Sequence, residues 1–109
     1  MIRRPLKAEE RTLVQYLVSL IPNKTKEYNL PEYAFELDDG GMGSIRFNSD
    51  EESTFGKDLI QVKYLDIDNT LVIITLTEDN HHNLFELEMW KVDFSELKQY
   101  PTPSKISMS

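Results

Sequence analysis

The chain has no cysteine. That excludes a disulfide scaffold, a thiol nucleophile and any Cys-based zinc site. Histidine is almost as scarce, with only His81 and His82. Adjacent residues on an extended chain point to opposite sides, so this pair chelates one ion poorly. It reads as a solvated turn between the last two predicted strands, and no metal or other cofactor is expected. No apolar run approaches the roughly 18–20 residues that cross a bilayer, so no membrane association is expected. Arg3 and Arg4 are followed by Glu9, Glu10 and Arg11 rather than by the apolar core of a signal peptide. A cytoplasmic location is the expectation.

What is present is a 109-residue chain, 39% apolar, with a net charge of −7. This is the size of one domain with one core, expected over residues 1–100. The Pro- and Ser-containing stretch 101–109 reads as a disordered tail. The charge is unevenly placed. Residues 1–26 hold six Lys/Arg and two Glu, whereas residues 27–96 hold four Lys/Arg and seventeen Asp/Glu. So acidic a centre repels phosphate backbones, which argues against nucleic acid, and it attracts basic protein partners.

Leu13, Leu17 and Leu20, widened by Val14 and Ile21, fall at helical spacing. They predict an amphipathic helix over 8–21 that ends at Pro22-Asn23. The remaining apolar residues alternate, which predicts strands. If Leu37 faces Ile45 across a Gly-rich turn, Phe35 faces Phe47 and Glu36 faces Arg46. If Tyr64 faces Val72, Val62 faces Ile74 and Ile60 faces Leu76, with Asn69 at the left-handed position of the turn. If Leu76 faces Phe85, Ile74 faces Leu87 and Val72 faces Met89. These three hairpins put apolar residues on one common face. The expected fold is α+β: an N-terminal helix packed on one face of a five-stranded antiparallel meander sheet. The opposite face carries Leu65, Leu71, Ile73 and Trp90 beside polar residues. Either a C-terminal segment around Phe94 and Leu97 covers them, or they form a partner surface.

Several motifs could carry chemistry. Asp38-Asp39-Gly40-Gly41-Met42-Gly43 is rich in glycine, but it leads into a strand and its carboxylates repel phosphate. It reads as a hairpin loop that needs positive φ. Asp66-Ile67-Asp68-Asn69 opens like a calcium loop, yet the sixth position is Leu71 and the twelfth is Thr77, so the match fails. Glu86 and Glu88 share a strand face and could form an acid/base pair, although alternating charge on an open sheet face also explains them. Trp90 reads as an interface anchor or a core-edge residue.

Two segments carry a resemblance. Asp38-Asp39-Gly40-Gly41-Met42-Gly43-Ser44-Ile45-Arg46-Phe47 and Glu86-Leu87-Glu88-Met89-Trp90-Lys91-Val92-Asp93-Phe94-Ser95, after a start of Arg4-Pro5-Leu6, resemble a family of small uncharacterised bacterial domains of unknown function, over roughly residues 3–101. The resemblance implies a Ser or Thr helix cap, where this chain has Lys7, and it supplies no catalytic residues. The functional expectation is a small acidic non-enzymatic protein-binding domain, an inhibitor or immunity-type partner. The alternative is a small enzyme or ligand-binding domain using surface carboxylates. Candidate binding residues are Asp38, Asp39, Glu86, Glu88 and Trp90. A monomer or weak homodimer is expected.

Overall fold

The computed structural model describes residues 2–23 and 26–108. Strand β1 (Arg3–Pro5) leads into helix α1 (Ala8–Ser19). The Glu10 carboxylate caps the helix start by accepting the Lys7 N–H at 2.9 Å. Lys7 has no side-chain acceptor to return the bond, so the cap is one-sided. The helix stops two residues earlier than its apolar spacing suggests. Leu20 and Ile21 donate to Leu17 and Val18, tightening the last turn, and Asn23 then takes φ 54°.

Strands β2 (Tyr33–Glu36), β3 (Ile45–Arg46), β4 (Phe55–Leu65), β5 (Leu71–Asp79), β6 (Leu84–Lys91) and β7 (Ile106–Ser107) follow. Among the described residues they and β1 form one antiparallel sheet of seven strands, ordered β1-β2-β3-β6-β5-β4-β7. The fold is α+β, but the sheet is not the expected five-stranded meander. β3 pairs with β6 instead of β4. The loop 47–54 carries the chain past the β5–β6 turn, where Asn80 exchanges bonds with Thr54 and Glu52 and the Ser53 hydroxyl donates to Asp79. The stretch beyond residue 100 was expected as a disordered tail. Instead it forms a 3-10 turn, Pro103–Lys105, and then β7, whose Ile106 lies opposite Tyr64. Two residues are too short for alternation to reveal a strand.

Register explains which side chains share a face. The β4–β5 pairing has Tyr64 opposite Val72, Val62 opposite Ile74 and Ile60 opposite Leu76, as the turn chemistry predicts. Asn69 takes φ 64° there. The β5–β6 pairing is displaced by two residues from expectation, with Leu76 opposite Leu87 and Ile74 opposite Met89. Because side chains alternate with period two, this displacement keeps every face. The β2–β3 hairpin is displaced by one, with Phe35 opposite Arg46 and Glu36 opposite Ile45. One residue reverses the faces, so Glu36 turns to the side where Arg4 takes it. Leu13, Val14 and Leu17 of α1 are buried in one cluster with Val62, Ile74, Leu76, Leu87 and Met89. The face that carries these sheet residues is the core face, and the opposite one is the outer face.

Candidate functional site

Alternation along β6 sends Leu87, Met89 and Lys91 to the core face and Glu86, Glu88 and Trp90 outward. Glu86 is paired with Arg46, whose Nε donates to its Oε2 at 2.8 Å. Its backbone N–H donates to the Thr77 hydroxyl at 3.1 Å. Glu88 stands opposite Thr75 and has no ion pair or hydrogen bond to its side chain among the described residues. Burial, then the neighbouring Glu86 and Asp58 carboxylates, push its carboxyl above the usual range. Trp90 stands opposite Ile73 and is 43% exposed. Its ring lies 6.3 Å from that of Phe94, tilted by 52°. Phe94 is 70% exposed, Leu65 58% and Val92 38%. The expected apolar cover is not formed. Phe94 stays at the rim, and Leu97 instead packs against the core cluster.

The cause is a charged clamp at the end of β6. Lys91 occupies a core-face position and is fully buried. Its ammonium donates to Asp66 at 2.9 Å, to Asp68 at 2.6 Å and to the carbonyl of Glu96 at 3.0 Å. All three of its N–H bonds thus have acceptors. The buried Asp66 carboxylate also accepts the N–H groups of Ile67, Lys98 and Gln99. Its pKa is lowered: burial works the other way, but the backbone N–H of Lys98 and the Lys91 ammonium outweigh it. The clamp holds residues 96–99 across the sheet end, where the Tyr64 hydroxyl donates to the Gln99 carbonyl. The Asp66–Asn69 turn, which fails as a calcium loop, thus grips an internal ammonium.

A separate pocket of about 310 Å³ lies between the start of α1 and the β2–β3 loop. Arg4, Lys7, Glu9, Glu10, Asp38, Asp39 and Tyr100 are among its lining residues. Arg4 makes two bonds to Glu10, each 2.8 Å, and also binds Glu36. Asp39 is engaged within its own loop and accepts the N–H groups of Met42 and Ser44 at 3.1 and 2.9 Å. Gly40, Gly41 and Gly43 take φ of 74°, 83° and 98°, which glycine adopts without a Cβ clash. The Tyr100 hydroxyl is buried without a hydrogen-bond partner. Burial, followed by the charges of Glu10 and Glu9, pushes its pKa up.

The five candidate residues therefore fall into two groups. Glu86, Glu88 and Trp90 share the outer face of β6, whereas Asp38 and Asp39 line the pocket and neither Glu86 nor Glu88 does. His81 and His82 lie in the exposed β5–β6 turn, and His82 Nδ1 is 2.8 Å from the buried Glu78, which also accepts the Tyr28 hydroxyl. No group of three or more metal-ligating side chains occurs among the described residues. Sequence reasoning overlooked Lys91 and Glu78, and it weighed Asp66 only as the start of a calcium loop. All three continue the core-face alternation of their strands, and a charge at such a position requires a partner.

Residues 3–101 match a domain of unknown function, DUF6984. The chain belongs to this family. The match takes in the outer face, the clamp and the pocket, and it stops before β7. No curated protein and no solved structure matches the chain. No helix of this DUF6984 domain, among the described residues, is long and apolar enough to cross a membrane.

Proposed function

We propose that this DUF6984 chain is a small non-enzymatic protein-binding domain of the inhibitor or immunity type, and that the outer sheet face is its binding surface. One observation carries the reading. Trp90, Phe94, Leu65 and Val92 remain exposed together while the clamp directs Leu97 to the core side. Exposed aromatic groups beside aliphatic ones are the usual anchors of protein interfaces. The acidic centre of the chain favours encounter with a basic protein. The test is affinity capture from the source organism with wild-type protein and with a Leu65→Asp variant, at low and high salt. A partner held by the wild type, released by salt and lost with Leu65→Asp supports the reading. Equal capture by the variant, or capture of no partner, refutes it.

The pocket at Asp38 and Asp39 favours a second reading, a ligand-binding or enzymatic domain that uses carboxylates. Asp38 is exposed there and has no partner among the described residues. Glu86 and Glu88 do not line that pocket, so the reading rests on two of the four carboxylates. A ligand that shifts the NMR resonances of Gly41 and Gly43, and not those of β6, would favour this reading over the first.

A further inference from the structure

On the outer face, Trp90 with Ile73 and Leu65 with Leu71 form two adjacent cross-strand rows. The exposed area of Trp90, Leu65, Val92 and Phe94 comes to roughly 300–500 Å² if each side chain offers about 150–250 Å² in full. That is about half of what one partner contributes to a standard interface. The remainder must come from the polar rim, and the rim is electrically unbalanced. Glu88 lies two residues from Trp90 on the same face, about 7 Å along the strand. Glu86 follows at the same spacing, and Asp58 stands opposite Thr77 on β4. Arg46 is paired with Glu86, and Lys63 lies two strands from Trp90 across Ile73. Glu88 is left as a carboxylate with no cation beside an apolar patch.

We propose that this face docks a cationic amphipathic segment of a partner protein. Apolar side chains of the segment cover Trp90 and Phe94, and a Lys or Arg on its flank pairs with Glu88. The inference rests on the protein-binding reading above and assigns the partner's chemistry. A second copy of this chain fits worse. An isologous contact through the patch sets each Glu88 close to its own symmetry mate, between chains that each carry −7. A nucleic acid is repelled by the same carboxylates.

Trp90 is the only tryptophan, so its fluorescence reports on the face directly. The intact protein is titrated with an amphipathic Leu/Lys peptide of about 18 residues, five helical turns, and with its Leu/Glu counterpart, at low and high salt. The expected result is a saturable response to the Lys peptide alone. Glu88→Gln weakens it about fivefold, the factor of an ion pair at the upper end of the surface range. Glu51→Gln, in the exposed β3–β4 loop, leaves it unchanged. Equal response to both peptides, with no effect of Glu88→Gln, overturns the cationic assignment and leaves the face as a binding surface. No response to either peptide overturns both readings. Self-association of the free protein in sedimentation, abolished by Trp90→Ala, assigns the face to a second copy and also overturns the proposal.

Discussion

Replacing Asp66 by Asn changes almost no volume, yet it should destabilise the domain nearly as much as replacement by Ala. Asp66 is buried and accepts four hydrogen bonds, from the Lys91 ammonium at 2.9 Å and from the N–H groups of Ile67, Lys98 and Gln99 at 2.8, 2.8 and 3.1 Å. Oδ1 takes Ile67 and Gln99, and Oδ2 takes Lys98 and Lys91. An Asn can offer an acceptor to only one of these pairs. Its NH2 group must then face two donors, whichever way the amide is turned. One of the two carboxylate charges facing Lys91 is also lost, and Asp68 alone is left to pair with the buried ammonium. Removing one partner of a buried pair costs about 3–5 kcal/mol, against roughly 5–15 kcal/mol for a whole domain. A fall in Tm of at least about 12 °C is expected, at roughly 4–8 °C per kcal/mol for a domain near this size. Urea unfolding followed by circular dichroism gives the free energies of wild type, Asp66→Asn and Asp66→Ala. Amide exchange at Lys98 and Gln99 should accelerate in both variants. An Asn variant within about 1 kcal/mol of wild type, below the range for a broken buried pair, would show that shape rather than charge and acceptor count holds the clamp.

Acid should weaken the fold by the same chemistry. Asp66, Asp68, Glu78 and Asp79 all have lowered pKa values in the folded protein. Their contribution is fully present above the unfolded values of about 3.9–4.3 and is lost as pH falls through the folded ones. Glu88, with a raised pKa, acts in the opposite sense and offsets a small part. The urea midpoint should therefore fall steadily below about pH 4; a midpoint that rises between pH 5 and 3 contradicts the assignment. Gly56 should not tolerate a side chain either, because an added Cβ would meet the Asp79 carbonyl oxygen at 2.5 Å, a backbone atom across the β4–β5 bulge. Gly56→Ala is expected to cost about 1–3 kcal/mol in the same unfolding assay, as overpacking does, and an unchanged midpoint would mean that the bulge relaxes freely.

Much of the local structure was legible in the residues. The spacing of Leu13, Val14 and Leu17 marks a helix, and these three are its buried hydrophobic residues. Asn69 at the left-handed turn position sets the β4–β5 register, because a short turn leaves few ways to align its strands. The Gly40–Gly43 loop was readable as a turn, but its longer span left the β2–β3 register open by one residue, enough to send Glu36 to the other face. Of the candidate residues, the outward placement of Glu86, Glu88 and Trp90 follows from alternation alone. Their separation from Asp38 and Asp39 does not, since alternation along a strand carries no information about distant loops.

The sequence by itself determined which residues alternate, where the chain turns and, for β4, β5 and β6, on which face each side chain stands. These are properties of backbone period and turn stereochemistry, written over a few neighbouring residues. Tertiary structure alone decided that β3 lies beside β6, that β1 and β7 extend the sheet, and that the segment after Lys91 crosses to the core side. Those outcomes depend on contacts between residues far apart in the chain, such as Lys91 with Asp66 and Asn80 with Thr54. A buried ammonium must find carboxylates wherever the fold brings them. The exposed surface around Trp90 is what remains once that requirement has drawn the C-terminal segment away.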